Sequence, residues 1–578
     1  MGEGWIEAEA AAGEIAHGRM RTFKHDGRQL VVGRCADGRP FALDNRCPHE
    51  GYPLASGTLK EHALTCCWHN WKFDVRDGAC LLGGEAVRRY PTRELEGRIQ
   101  VDLTDPDPAE VLSGYVASLR HALTQGDSGR ALRDVVRVLQ AGRAPRLVLA
   151  ELAAHDAEHA EYGSTHALPV AADCARFLDR YDGPRAAIAI APVVDLCIDA
   201  NQRLPERRRP APIPGATLAE LRRAVEAEEV EYAEALFRGA IDAGTERAEL
   251  ERWLYSLLSM HFLDFGHELI YLVKAQELFD EVEPEYAARI LPALFYAISL
   301  ATREDTLPYW APYARRLREV EGRFEEVWSR RGAAASPFDG AALEAVLLDG
   351  SAAEAHDLLW SVLAGGADPS DVARTIVVAA ARRLWRFDIA VDRDPEVLET
   401  WLWATHRFTF ASAVRNALER FDSPDALRFL FQAMAFVHSG RALDRPGAEP
   451  LPELARDGSA DVESILAAVR ARDAETACAR ARRHLERGGP VDALRAAVED
   501  LCLSDPLVRP IAVAHVVKTA CAAFEEHAAL AGHPGRDWPL LATLRFLASP
   551  VVERRVRESA ERSIRWVAEG VMPRKLTQ

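Results

Sequence analysis

Up to about residue 105, apolar and polar positions alternate in short runs: QLVVGR (29–34) and PFALDN (40–45) flank Asp37-Gly38, and RIQVDL (98–103) follows Glu96-Gly97. A period of two broken by glycine-containing turns predicts half-buried strands joined as hairpins. Pro106 and Pro108 close this segment, and from Ser113 onward the apolar positions recur at the helical period, in Ala, Leu, Arg and Glu with breaks at Gly and Pro. The pattern predicts a multidomain α+β chain: a small all-β domain over 1–105, a linker over 106–112, and a large all-α part.

The helical part repeats itself. Four similar stretches begin at Ala122, Ala224, Ala345 and Ala468, each opening with a helix that ends in Gly and continuing into two more helices. The third helix of every copy is expected to start at a histidine, His166, His267, His406 or His515, at 44, 43, 61 and 47 residues from the opening Ala. The longer third copy carries an insertion around VDRDPEVLET. YDGPRAAIAIAPVVDLC after His166 parallels FDSPDALRFLFQAMAFV after His406, so the copies also pair into halves, and repeats 1 and 2 are expected over 113–335 and repeats 3 and 4 over 336–578.

With 578 residues, 48% of them hydrophobic, the chain has material for several cores. Its net charge of −17 argues against a nucleic acid or an anionic membrane as partner, because phosphate is met by clustered Lys and Arg. The one dense basic run, Arg207 to Arg209, reads as a solvated loop. The apolar stretch from Ala186 to Val194 stops at Asp195, far short of a membrane span. The start, MGEGWIEAEA, lacks the basic and apolar regions of a signal peptide, and Ile6 stands where a myristoylation signal needs Ser or Thr. A cytoplasmic protein is expected, in which clustered cysteine reads first as a metal site.

Such clusters stand in CPHEGYPLASG (47–57) and CCWHNWKFDVRDG (66–78). As ligands these give Cys47-x-His49, sixteen residues, then Cys66-x2-His69. Two Cys and two His would also suit a tetrahedral zinc ion, although ordinary zinc modules keep like ligands together. The pattern resembles the Rieske family, down to Pro48, Gly51-x-x-Leu54, Phe73-Asp74 and Gly78. That resemblance implies a [2Fe-2S] cluster with both thiolates on one iron and both imidazoles on the other, and so a potential above that of an all-cysteine ferredoxin. Tyr52 and Trp68 occupy the places where respiratory members carry a bridging disulfide, which implies the soluble, lower-potential type. Cys67 stands where the family has Pro and is read as a packed or reactive thiol.

Rieske oxygenases follow this domain with a mostly β domain bearing iron on two His and one carboxylate. Here the nearest match, His155-Asp156-x2-His159-x6-His166, falls inside a helical repeat and misses that spacing. The repeat carries a different expectation: equivalent positions in pseudo-symmetric copies approach a common axis, so four imidazoles would converge on a second metal, with iron the natural choice. His159 and His261 lie seventeen residues after Gly142 and Gly244 and join the candidate ligands as a second matched pair. Trp401, Trp403, Tyr271 and Tyr309 are expected as core. GHELIYLVKA (266–275) and AHVVKTACAAFEEH (514–527) resemble the questin oxidase-like family, which implies oxidation of a bulky aromatic in a helical cavity and points to His267 and His515; members of that family do not carry an attached Rieske domain.

The sequence thus predicts an iron-dependent oxidoreductase, an O2-using oxygenase acting on a small organic substrate, its electrons passing from the [2Fe-2S] cluster to a His-ligated metal. No G-x-G-x-x-G follows a strand, so an external NAD(P)H-dependent reductase or ferredoxin is expected to supply them. The alternative is a non-enzymatic electron carrier or redox sensor on a helical protein-binding scaffold.

Overall fold

The computed structural model describes residues 4–8, 15–201, 205–334, 337–393, 400–447, 450, 452–453, 458–549 and 556–571. The chain divides into two compact units, Met1–Arg143 and Ala144–Gln578.

The first unit opens with eleven strands: β1 Trp5–Glu7, β2 Arg19–His25, β3 Arg28–Arg34, β4 Pro40–Asp44, β5 Thr58–Lys60, β6 Ala63–Thr65, β7 Lys72–Asp74, β8 Cys80–Leu82, β9 Arg89–Tyr90, β10 Thr92–Leu95 and β11 Arg98–Asp102. They form three antiparallel sheets in the orders β1-β11-β10, β2-β3-β4-β9 and β5-β6-β7-β8. Glu96-Gly97 makes the two-residue turn its sequence predicts, both φ angles positive and Leu95 facing Arg98. Asp26-Gly27 makes an equivalent turn between β2 and β3. One core, built on Val31, Phe41, Leu64 and Phe73, takes in Cys47 and Cys66, so the second and third sheets hold both thiols from beneath.

This unit does not end with the strands. Helix α1, Pro108–Gln125, begins inside the expected linker: Asp107 caps it through the Ala109 N–H, and Pro108 supplies a preset φ at the first turn. Helix α2, Ser128–Gln140, follows, and both belong with the sheets. The compact unit that holds the strands therefore runs on through both helices to Arg143.

In order along the chain, each repeat supplies at least five α-helices rather than three, copy 2 adding Ala311–Val320 and Phe324–Ser329 after its fifth. The first two of copy 1 are α1 and α2, then come Pro145–His159, Ala167–Ala175 and Ala187–Asn201. Copy 4 runs Val462–Arg470, Ala474–Glu486, Val491–Cys502, Pro510–Ala529 and Trp538–Ala548. Copies 2 to 4 and the rest of copy 1 fold as a single unit, so the expected split at 335/336 is not a boundary between compact units. Residues 394–399 of the insertion in copy 3 lie outside the described residues. The fourth helix of each copy builds the centre: α3 Ala167–Ala175, α4 His267–Phe279, α5 Trp401–Arg420 and α6 Pro510–Ala529. Helix α3 packs on α4, α4 on α5, α5 on α6, and α6 on α3, closing a ring. These helices are buried on nearly every side, as elements at the middle of a helical assembly must be, and the charged side chains among them pair with one another.

Candidate functional site

In the first unit, the loop after β4 carries Cys47 and His49, and the loop between β6 and β7 carries Cys66 and His69. Both thiols are buried, while His49 and His69 meet edge to face with ring centroids 4.7 Å apart. Burial and the neighbouring Cys66 thiol push Cys47 up to about 11, against the pull of the His49 and Glu50 amides. The Trp68 N–H points to the Cys66 sulfur at 3.5 Å. His69 and Asn70 both have positive φ, a conformation costly for side-chain-bearing residues and frequent where a ligand fixes the backbone. Trp71 stacks on His49 at 4.6 Å, and Gly83 lets the β8–β9 loop close over it, since a Cβ there would stand 2.4 Å from the indole. Two thiols and two imidazoles on facing loops suit a [2Fe-2S] cluster, with peptide N–H groups placed to stabilise sulfur charge.

The positions at which respiratory members carry a bridging disulfide hold an aromatic pair: Tyr52 and Trp68 stack at 5.0 Å and are 38% and 46% exposed, beside an exposed Cys67. This leaves an apolar, accessible edge next to His69.

In the second unit the ring of α3 to α6 brings His166, His267, His406 and His515 together. Ring centroids are 5.0 Å apart for His166 and His267, 4.2 Å for His267 and His406, 4.8 Å for His406 and His515, and 4.9 Å for His166 and His515. One nitrogen from each of His166, His267 and His406 lies within 4.8 Å of the others, and His515 Nε2 lies 2.9 Å from His406 Nε2. The histidines do not all start their helices as the sequence suggests. His166 caps α3 and His267 begins α4, whereas α5 and α6 start five residues ahead of His406 and His515, at Trp401 and Pro510.

Three of the rings are oriented through Nδ1. Ile511 O lies 2.7 Å from His515 Nδ1 and Asp264 O lies 2.5 Å from His267 Nδ1, while Tyr271 OH meets His166 Nδ1 at 3.3 Å. Tyr271, expected as core, is buried but also touches the site. A Nδ1–H donating to a carbonyl leaves a lone pair on Nε2, the form a metal takes. The Nε2 atoms of His166 and His267 and Nδ1 of His406 are sealed from solvent and have no hydrogen-bond partner. Leaving a buried polar atom unpaired costs about 1–3 kcal/mol. Three such atoms in one place weigh heavily against a total stability of roughly 5–15 kcal/mol, so packing alone is a poor reason for them. Burial, with the Lys518 charge next, holds His166 and His515 well below the ordinary imidazole value, and His267 falls to about 3. The rings are neutral, as ligands must be. The 2.9 Å between His406 and His515 nitrogens also equals the separation of two adjacent ligands at right angles with bonds of roughly 2.0–2.1 Å.

Local structure explains how His166 and His267 are placed. Asp156 accepts from Thr165 N at 3.0 Å and Thr165 Oγ1 at 2.8 Å, and Thr165 Oγ1 accepts from Ala167 N, fixing the start of α3. Ahead of α4, Asp264, Phe265 and Gly266 all have positive φ, and a Cβ on Gly266 would stand 2.1 Å from the Phe410 ring.

His159 and His261 do not join the four. They end the third helix of their repeats, where His159 stacks on His155 at 4.0 Å and His261 sits between Asp305 at 2.9 Å and Glu226 at 3.0 Å. Their matched spacing reflects the repeat, but each ring is engaged by local partners. Lys518, fully buried one turn after His515, was not visible as a site residue in the sequence.

Among known proteins, the phenoxybenzoate dioxygenase alpha subunit of Ectopseudomonas oleovorans is 37% identical over 100 residues, 15% of this chain and 24% of that one. The oxygenase subunit of 3-chlorobenzoate-3,4-dioxygenase from Comamonas testosteroni is 32% identical over 112 residues, 18% of this chain and 26% of that one. The chain thus matches about a quarter of the length of these relatives. The solved ferredoxin of carbazole 1,9a-dioxygenase from Nocardioides aromaticivorans is 26% identical, covers 17% of this chain and 94% of its own, and has a TM-score of 0.15. No helix among the described residues is long and apolar enough to cross a membrane. The Rieske [2Fe-2S] domain family matches the span that holds both ligand loops, and residues 5–93 are a Rieske [2Fe-2S] domain.

Proposed function

We propose that this chain is an O2-dependent oxidoreductase in which Cys47, His49, Cys66 and His69 hold the [2Fe-2S] cluster and His166, His267, His406 and His515 hold a second redox metal, iron being the expected one. The convergence of four neutral imidazoles from equivalent places in four repeats carries this reading. When bound, the cluster supplies single electrons and the second metal supplies a centre for O2 chemistry.

The residues divide the remaining work. Asp264 and Ile511 carbonyls hold Nδ1 protons on His267 and His515 so that both Nε2 lone pairs face inward. His515 Nε2 then accepts from His406 Nε2–H while no metal is bound, and loading requires that proton to move to His406 Nδ1, which is free to take it. Tyr271 steadies His166. The exposed Tyr52, Trp68 and His69 edge suits transient docking of an external reductase or ferredoxin. The substrate would be a small organic molecule, an aromatic one by the likeness of 266–275 and 514–527 to questin oxidase-like sequences.

Metal analysis tests this. The purified chain should hold the cluster's two irons and one further metal, and a His406→Ala/His515→Ala double variant should keep the cluster spectrum while losing the extra metal and substrate-dependent O2 uptake. Iron of the cluster alone, with the four histidines replaceable at no cost to activity, would favour an electron carrier or redox sensor on a helical scaffold.

A further inference from the structure

The candidate ligands of the four-histidine site bring no negative charge. Its candidate ligands are neutral, and the groups on their Nδ1 atoms are a phenol and two peptide carbonyls. The carboxylates of the four ring helices are spoken for. Asp173, Glu277 and Glu525 gather on Lys274 at 2.8, 3.1 and 2.9 Å, and Glu419 and Glu526 pair with Arg415 at 2.8 and 2.7 Å. Glu268 is buried and burial pushes its carboxyl well above the usual range, into the neutral form.

Against this stands one cation. Lys518 is 2% exposed, and its Nζ is sealed from solvent without a hydrogen-bond partner. It lies three residues after His515 on α6 and so shares that histidine's face of the helix. Its charge acts on all four imidazoles, and the carboxylate whose charge reaches it, Asp173, is already held by Lys274. Burial pulls Lys518 down to about 7 against the charge of Asp173, and a divalent metal on the four rings would leave Nζ a neutral amine unless an anion came with it. A buried amine with no hydrogen-bond partner keeps its proton only where an anion meets it, and the carboxylates of the ring helices are engaged elsewhere, so the ligand is the remaining source.

We propose that the four-histidine centre takes an anionic ligand on its metal and that Lys518 is the residue that receives the anion's charge. This rests on the metal reading above and adds a ligand class to it: a small inorganic anion, or an organic substrate that presents a carboxylate. Lys518 touches the ligand, not the metal, so its loss should separate anion affinity from metal affinity.

The test uses the full chain with its cluster, loaded with Zn(II), which is redox-silent, and titrated calorimetrically with azide and with benzoate. Lys518→Met and Lys518→Gln are compared with the unsubstituted chain, and metal content is measured in each. Anion binding about tenfold weaker in both variants, with Zn(II) bound as tightly or more tightly, is the expected result. Azide binding alone would identify a small inorganic anion as the ligand, and Lys518-dependent benzoate binding would identify a carboxylate carried by the substrate. Equal anion affinities with and without Lys518, or no anion binding by a Zn(II)-loaded chain, would overturn the proposal and leave the metal reading standing. A chain that takes up no Zn(II) beyond what the His406→Ala/His515→Ala variant takes would remove both.

Discussion

Gly266 shows how narrowly the ring histidines are placed. Its φ of +85° is one that side-chain-bearing residues avoid, and the Phe410 ring fills the space a methyl group would need. Gly244 is also left-handed, at φ +76°, but a Cβ there would meet nothing within 4 Å. Gly244→Ala should therefore cost about 1 kcal/mol, for backbone conformation only. Gly266→Ala should cost about 3 kcal/mol, because it adds overpacking, and should also weaken metal uptake by displacing His267. Thermal unfolding of the two variants checks the difference. His261 permits a second test at this scale. Burial alone would lower its pKa, but the hydrogen bond and charge of Asp305, with Glu226, win and raise it. A raised value means the folded chain holds the proton more tightly, so this contribution is fully present below about pH 6.5 and fades as pH rises through the higher folded value. His261→Gln should thus destabilise by roughly 0.5–1 kcal/mol at pH 5.5 and by less at pH 9, as read from urea midpoints. A gap that widens with pH would show that His261 is not the ion-pair residue described.

Between elements, the informative contact joins α2 to the cluster loops. Glu85, 4% exposed at its side chain, receives Arg133 Nε at 2.9 Å and also Arg137, whose other nitrogen reaches Pro48 O at 3.3 Å, between Cys47 and His49. Glu85→Ala would leave the Arg133 guanidinium without its carboxylate and Arg137 with Asp134 alone, at 2.6 Å. Removing one partner of a buried pair costs about 3–5 kcal/mol, and the partial exposure of both arginines reduces that to roughly 2. The visible absorption of the cluster should be lost at a lower temperature than in the unsubstituted chain, while Glu94→Ala, whose carboxylate is 46% exposed beside Arg34, should change it little. None of this could be read from the sequence, because Glu85 and Arg137 are ordinary surface-type residues 52 positions apart. The ligand motif was legible because its chemistry demands fixed residue types at fixed spacing. The four ring histidines were legible because duplication repeats them. The same signal misled at His159 and His261, where equivalence was real but the position is a helix end facing local carboxylates and rings. Helix starts five residues before His406 and His515 went unseen because histidine, with no strong capping role, marks no boundary.

For the molecule as a whole, closure of the ring decides what can be removed. A chain ended before Val462 would keep three of the four imidazoles yet lose α6, which covers both α3 and α5. Such a chain is expected to bind no second metal and to aggregate through the uncovered apolar flanks, while its cluster spectrum persists. Size-exclusion chromatography with parallel metal analysis would show whether it does. The closure also has a meaning in time. His166 and His515 meet across 349 residues of chain, and His515 belongs to the fourth copy to leave the ribosome. No earlier portion of the nascent chain contains the complete ligand set, so a metal that needs all four imidazoles can be captured only after synthesis of the fourth repeat. The Rieske loops are complete by His69 and are ready much sooner. The two centres would then mature in a fixed order, cluster first, and occupation of the second would mark a chain whose fourth repeat has been made.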